Sequence, residues 1–415
     1  MPKTLPEWLA YITTLHSHEI ALGLTRVAAV AKKLDVLSFA CPVISVAGTN
    51  GKGSNVALLT SLYGAAGYRV GSYTSPHLLV FNERICLGGE KVSDNQLLLA
   101  FSQVEKARAA IALTYFEFVT LAALWLFQQA HLDVVILEVG LGGRLDAVNI
   151  VDADLALITS IALDHIDLLG ETREAIAYEK AGIFRPRCPI VCGDNGPPQS
   201  LLDAAAAGQS SLYCVNKDFH YSATEDGWCW QYADTIYSAL PRPSLLLANA
   251  ATSLMVVQCL RNRLPIDSVA IKQGLLTAQL AGRFQQYSQP RWLILDVAHN
   301  PASAAVLATQ LAEHPCTGQT YAVVSMLGDK DINNSLQYLL PFVDVWLVAG
   351  LTVARGISAK KMANHLDKLG VTAYHTYQSV QAAYAHALQC SQATDRIVVF
   401  GSFHTVAAVL STLEK

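Results

Sequence analysis

Residues 48–54, Gly-Thr-Asn-Gly-Lys-Gly-Ser, set glycines, a lysine and hydroxyls side by side. The apolar run Val43–Ala47 precedes them, and a helical pattern follows from Asn55 to Ala66. This layout predicts a buried strand, a tight turn and a helix. Backbone N–H groups from Gly48, Thr49, Asn50, Gly51, Lys52, Gly53 and Ser54 would wrap an anion, the helix N-terminus would attract it, and Lys52 would add a point charge. Phosphate is the natural occupant. The strict pattern G-x-x-x-x-G-K-[ST] nevertheless fails twice, because Val46 stands where its first glycine belongs and Gly53 where its metal-binding hydroxyl belongs. If the loop holds ATP, the magnesium ion needs ligands from elsewhere.

Other stretches offer them. In "SYTSPHLLVFNERI" (72–85), Pro76 stops a strand and leaves Thr74 and Ser75 at its carboxyl end, which is either a ligand-binding position of a parallel sheet or an ordinary loop. In "VVILEVGLGGRLDAVNI" (134–150), four apolar residues drive a buried strand into Glu138, with Arg144 and Asp146 beyond two glycines. Glu138 either faces a metal beside the phosphate loop or pairs with Arg144. "ITSIALDHIDLLG" ends another strand close to His165, which is either structural or a ligand. Lys180, in "EAIAYEKAGIF", falls late in a helix beside Glu179. Taken alone it reads as a solvated lysine in an ion pair.

These residues need a scaffold. A chain of 415 residues suggests two or three domains, and 52% apolar residues supply their cores. No apolar run approaches the ~20 residues of a membrane span, and the first twenty residues carry charge and histidine instead of a signal-peptide core. A net charge of −4 without basic clusters argues against nucleic acid. Nine dispersed cysteines without a C-x-x-C pair point to a reduced, cytoplasmic protein.

Short β-branched runs alternate with helical patterns, which predicts a parallel sheet covered on both faces. Strands are expected at Val43–Ala47, Tyr68–Tyr73, Val134–Val139, Leu155–Thr159 and Ile190–Gly193. Helices are expected at Asn55–Ala66, Asp94–Ala109, Glu117–Ala130 and Thr172–Ile183. Ser211–Ser238 reads as a small antiparallel excursion, and Leu245–Arg263 as helical. After a hinge at Gly282–Pro290 the pattern restarts as a second α/β unit. The expected organisation is thus a P-loop ATPase domain over 1–284 and a Rossmann-like α/β domain over 285–415.

The stretches GTNGKGS, SPHLLVFNERI, FEFVTLAALWLF, LEVGLGGRLDAVNI, TSIALDHIDLLG, EKAGIF, AGRF, DVAHNP and GSFHT occur in this order over almost the whole chain. In this the sequence resembles the bacterial bifunctional dihydrofolate synthase/folylpolyglutamate synthases, relatives of the Mur ligases of cell-wall synthesis. Both departures from the strict loop pattern are features of that family.

The resemblance implies an ATP-dependent ligase that activates the carboxylate of dihydropteroate as an acyl phosphate, joins it to L-glutamate, and then extends reduced folates. It implies two magnesium ions on Ser75, Glu138 and His165, with Lys180 carboxylated to a carbamate that ligates the second, and it leaves room for a monovalent cation. Asn249, Arg283 and Asp296 would contact the nucleotide, with His299 near the phosphates. Thr114, Phe116 and Asp146 would hold the pterin, and Ser402 and His404 would contribute to the glutamate site. The family is mostly monomeric. Three alternatives compete: a Mur-type ligase acting on a nucleotide-sugar acid, a folylpolyglutamate synthase without dihydrofolate synthase activity, and a P-loop ATPase that binds a protein partner.

Overall fold

The computed structural model describes residues 2–18 and 20–413. They form two compact units that divide between Gln279 and Leu280.

The first unit is built on an eight-stranded sheet. Its strands are β1 (Val43–Ala47), β2 (Val70–Tyr73), β3 (Ile85–Leu87), β4 (Glu90–Lys91), β5 (Val134–Glu138), β6 (Leu155–Ile158), β7 (Ile190–Cys192) and β8 (Leu212–Cys214). The order is β4-β3-β2-β5-β1-β6-β7-β8. The six strands from β2 to β8 run parallel, and the β3–β4 hairpin adds an antiparallel edge. Every residue of β1, β5 and β6 is buried, as expected of strands covered on both faces.

The expected elements are present, with local shifts that have physical causes. The helix after β1 begins at Lys52, not Asn55, because Gly51 adopts φ +86° and turns the chain into it. The helix expected from Glu117 begins at Tyr115, because Thr114 accepts the Glu117 N–H at 3.3 Å while Glu117 returns to the Thr114 N–H at 2.8 Å. That reciprocal pair is a capping box. Tyr68 is not yet strand, since its N–H closes the preceding helix on Tyr63 O at 3.0 Å. The region 211–238 divides. Leu212–Cys214 joins the main sheet as β8, and only β9 (Phe219–Thr224), β10 (Gly227–Tyr232) and β11 (Thr235–Leu240) form the antiparallel excursion. A helix over Leu247–Leu260 follows.

The second unit is a six-stranded sheet of order β12-β13-β17-β14-β15-β16. It comprises β12 (Gln285–Tyr287), β13 (Trp292–Leu295), β14 (Thr320–Val324), β15 (Val345–Ala349), β16 (Tyr374–Tyr377) and β17 (Arg396–Phe400). All pairings are parallel except β12 with β13. The stretch expected as a hinge, Gly282–Pro290, therefore contains the first strand of this unit at its centre: Gln285 pairs with Leu295 and Tyr287 with Leu293.

An aromatic cluster anchors the start of the first unit. The Phe101 ring lies 5.8 Å from each of Trp8, Phe81 and Phe118, and it is fully buried. Phe101→Ala should destabilise this unit by about 3–5 kcal/mol through the cavity it leaves, measured by urea denaturation. A loss under about 1 kcal/mol would mean that the cluster collapses around the smaller side chain.

Candidate active site

The carboxyl ends of β1, β5 and β6 meet at one edge of the first sheet, and the glycine-rich loop leaves β1 there. Its shape is held by the neighbouring strand. The Thr159 hydroxyl donates to Asn50 O at 2.6 Å, and the Ser160 hydroxyl contacts Asn50 O and accepts the Asn50 N–H, both at 3.1 Å. Thr49 N–H reaches Ser160 O at 2.7 Å, and the Thr49 hydroxyl is bonded to both the N–H and the carbonyl of Ala162. These supporting residues were not identified from the sequence. The available signal was two hydroxyls directly after a buried strand, "ITS". Behind the loop, Asn55 donates to Gly51 O at 2.9 Å and to Asn249 Oδ1 at 3.1 Å. A Cβ on Gly51 would lie 2.8 Å from that same Oδ1, so a larger residue is excluded by contact as well as by φ. Asn249 is thereby brought to the loop.

Lys180 is not a solvated helix lysine. It is 3% exposed, and its ammonium donates to Gly48 O at 2.9 Å. Lys52 donates to the same oxygen at 3.1 Å. Glu179, expected as its ion-pair partner, carries Arg144 at 2.8 Å instead, which also answers the alternative pairing of Arg144 with Glu138. The helix end bearing Lys180 is fixed by a close crossing: Arg144 N–H donates to Glu179 O at 2.7 Å. A Cβ on Gly143 would lie 2.8 Å from Glu179 O and 2.9 Å from Lys180 O. Burial, then the nearby Lys52 charge, lower the Lys180 pKa to about 7, with Asp164 and Asp146 pulling the other way.

Glu138 ends β5 beside β1, paired in register with Val46, and is 4% exposed. Its Oε2 accepts the Ser75 N–H at 3.1 Å, so these two candidate ligands are neighbours. A serine hydroxyl and a carboxylate suit a hard cation such as magnesium. No group of three or more His, Cys, Asp or Glu side chains able to hold a metal forms among the described residues. That absence is compatible with an ion that keeps waters and phosphate oxygens around one or two carboxylates. His165, in a left-handed conformation at φ +51°, follows β6 and opens a short helix, with Asp164 4.0 Å from its Nε2. A lysine ammonium would repel the ion; a carbamate at Lys180 would not.

Two of the three candidate pterin residues, Phe116 and Asp146, lie against the Gly140 turn. The Phe116 ring presses against Gly140, where a Cβ would come within 2.6 Å of it, and stands 6.0 Å from Tyr73. Asp146 accepts the N–H groups of Leu141 at 2.8 Å and Val148 at 3.0 Å, and complete burial raises its pKa to about 6 despite them. Thr114 is buried and caps its helix.

In the second unit, Asp296 follows β13 and accepts the N–H groups of Phe284 and Ala298, each at 2.8 Å. Burial raises its pKa, partly countered by Arg283. Arg283 lies 5.1 Å over the Phe403 ring and His299 6.4 Å from it, so these residues form one cluster. Ser402 is buried, and its hydroxyl is engaged with Thr405 Oγ1 at 2.7 Å and the Thr405 N–H at 3.0 Å. His404 is exposed by residue, but partial desolvation of its ring, and then the Arg355 charge, lower its pKa.

The Lys180 amine makes stability depend on pH. Between pH 7 and 10.5 the unfolded chain binds a proton there that the folded chain does not, so this group adds stability as pH rises through the window. Below pH 7 the buried amine costs on the order of 5 kcal/mol. In bicarbonate-free buffer, Lys180→Met should raise the thermal midpoint at pH 7 by at least about 3 °C and flatten the rise from pH 7 to 10. An unchanged midpoint and profile would show that the amine is solvated.

Residues 46–190 match the Mur ligase middle domain, and residues 282–403 match the Mur ligase glutamate ligase domain. The chain is 44% identical over 410 residues to the dihydrofolate synthase/folylpolyglutamate synthase of Escherichia coli K12, covering 99% of this chain and 96% of that protein. The solved structure of E. coli FolC in complex with DHPP and ADP superposes with a TM-score of 0.96 at 44% identity, over 100% of this chain and 99% of that one. A bifunctional folylpolyglutamate synthase/dihydrofolate synthase with Mn, AMPPNP and L-glutamate bound gives 0.93 at 47% identity, over 100% and 98%. With its phosphate-type loop at the head of a parallel sheet and likeness along its whole length, the chain belongs to the bifunctional dihydrofolate synthase/folylpolyglutamate synthases of the Mur ligase superfamily.

Proposed function

We propose that this chain is an ATP-dependent ligase that joins L-glutamate to dihydropteroate and adds further glutamates to reduced folates. Family membership at this identity supports the reaction. The observation that carries the site is the convergence of Lys52 and Lys180 on Gly48 O within the anion-binding loop. The first unit would bind ATP, and the Rossmann-like second unit would serve glutamate ligation. The protein would act as a cytoplasmic monomer.

A carboxylate and an amine do not condense in water unaided. The dihydropteroate carboxylate attacks the γ-phosphorus of ATP, an acyl phosphate forms and ADP leaves. The α-amine of glutamate then attacks the acyl carbon, and phosphate departs. Such transfer depends on positioning and on cations where negative charge gathers. Backbone N–H groups of residues 48–54 and the Lys52 ammonium hold the phosphates, and Asn249 contacts the base. Arg283 and Asp296 are assigned to the nucleotide, and His299 to its phosphates. Ser402 and His404 are assigned to glutamate, with Ser402 acting through the backbone turn it caps. Phe116 stacks on the pterin, with Asp146 and Thr114 beside it.

Two magnesium ions, held by Ser75, Glu138, His165 and a carboxylated Lys180, would neutralise charge on the transferred phosphoryl group. A pKa of about 7 explains how Lys180 could be carboxylated. At neutral pH a large fraction of the amine is uncharged, and only the uncharged amine has the lone pair that adds to CO2. The modification also removes the like-charge repulsion between Lys180 and Lys52.

Incubation with MgATP, L-[14C]glutamate and dihydropteroate, then with a reduced folate, tests the activity; label entering only the second acceptor would reduce it to folylpolyglutamate synthesis. Lys180→Ala should cut turnover by about a thousandfold or more, and acetate or formate should restore part of it where chloride at equal ionic strength does not. Near-normal turnover in that variant would refute the carbamate role. Phe116→Ala should raise the KM for dihydropteroate by about tenfold or more and leave the KM for ATP nearly unchanged. Equal effects on both would indicate damage to the fold instead.

A further inference from the structure

We propose that Glu83 is a positioning residue, which holds the segment from Ser75 to Val80 in the conformation that presents Ser75 to a divalent metal. The proposal rests on the reading of Ser75 as a metal ligand. It begins from a deficiency in packing. No residue from Thr74 to Val80 is buried; all are half-buried or exposed. Apolar burial therefore cannot fix this segment, yet it follows directly from β2 and carries a candidate ligand.

One carboxylate does what packing does not. Glu83 Oε2 accepts the Leu78 N–H at 2.6 Å, and Oε1 accepts those of Leu79 at 3.1 Å and Val80 at 2.9 Å. Three consecutive N–H groups thus turn onto a single side chain. The Glu83 carbonyl accepts the Thr74 hydroxyl at 3.2 Å, and the Arg84 carbonyl accepts the Thr74 N–H at 2.9 Å, closing the segment at its start. Lys91 stands 3.8 Å from Oε1. Burial works to raise the Glu83 pKa, but the three amides and Lys91 outweigh it and hold the group below the usual carboxylate range.

The holding group is itself anchored. Glu83 lies on the short turn Phe81–Arg84. Phe81 enters the aromatic cluster at 5.8 Å from Phe101. The Arg84 guanidinium lies 5.8 Å from the Phe81 ring and 5.7 Å from the Tyr115 ring, and its Nε donates to His77 Nδ1 at 2.9 Å. A rigid turn therefore carries the carboxylate, the carboxylate fixes the segment, and the segment delivers Ser75, whose N–H meets Glu138 at 3.1 Å. Glutamine cannot substitute. It offers one acceptor oxygen and sets an NH2 donor against backbone donors.

The test is Glu83→Gln, read in two ways beside Ser75→Ala. Hydrogen exchange at the Leu78, Leu79 and Val80 amides should be slow in the wild type and about tenfold or more faster in Glu83→Gln, with the thermal midpoint within about 2 °C. Mn2+ titrated in the presence of a non-hydrolysable ATP analogue, followed by electron paramagnetic resonance, should need about tenfold more metal for half-saturation in both variants. Fast exchange in the wild type, or unchanged exchange or Mn2+ binding in Glu83→Gln while Ser75→Ala binds weakly, overturns the role of Glu83. Unchanged Mn2+ binding in Ser75→Ala removes Ser75 from the metal site, and with it the link proposed here.

Discussion

Two amines, those of Lys52 and Lys180, donate to a single backbone oxygen, that of Gly48. One of them is fully enclosed. Like charges so close repel, and burial removes the water that would screen them. The folded chain can keep this arrangement only if the surroundings fix it and the charge on Lys180 is reduced. Both conditions are met. The loop is bonded at Thr49 and Asn50 to residues 159–162, and the helix end that carries Lys180 is pinned where it crosses Gly143. The lowered pKa is the second condition. Negative charge brought to this loop would offset the repulsion between the two amines.

The departures from the strict phosphate-loop pattern have a structural counterpart. The loop takes its support from the strand beside it: hydroxyls of Thr159 and Ser160, at the end of β6, hold the Asn50 carbonyl. Asn55 ties the helix start to Asn249 from behind. A hydroxyl directly after the lysine is not needed for a metal if Ser75 and Glu138, themselves hydrogen-bonded neighbours, stand ready across β5.

The sheet and most of its helices were legible because their signals are local and periodic. Val43–Ala47, apolar but for Ser45, runs into glycine and Val134–Leu137 runs into a carboxylate, and both are strands. What could not be read depends on contacts between distant residues. Lys180 looks like any late-helix lysine beside a glutamate. Only the fold shows that Glu179 faces Arg144 and that the lysine points inward. Leu212–Cys214 resembles the aromatic-rich strands after it, and its place in the main sheet is set by pairing with β7. Gly282–Pro290 has the composition of a linker, yet three of its residues pair with β13. The candidate ligands stood out because Glu138 ends a strand and Ser75 stands just before the proline that stops one. The hydroxyls that shape the loop, those of Thr159 and Ser160, lie directly after β6 and drew no attention.

A common device holds the loops at these strand ends. Asp146 takes the N–H groups of Leu141 and Val148, Asp296 those of Phe284 and Ala298, and Glu83 those of three residues in a row. Asp194 takes that of Ile161 and pairs with Arg173. A binding loop must stay open to a polar ligand, so it cannot be fixed by burying apolar side chains. A carboxylate that accepts several backbone N–H groups fixes the chain without a hydrophobic contact, and charge assistance makes each bond stronger than a neutral one. The cost is electrostatic. A negative charge enters a poorly solvated place, and burial pushes Asp146 and Asp296 upward in spite of their amides. Asp146 also lies near Lys52 and Lys180, and Asp296 near Arg283, so each carboxylate offsets positive charge within its own unit. Structure and charge balance are therefore supplied by the same groups. Replacing such a carboxylate loosens a loop and shifts the field at the ligand together, so its two roles separate only when loop order and ligand affinity are measured side by side.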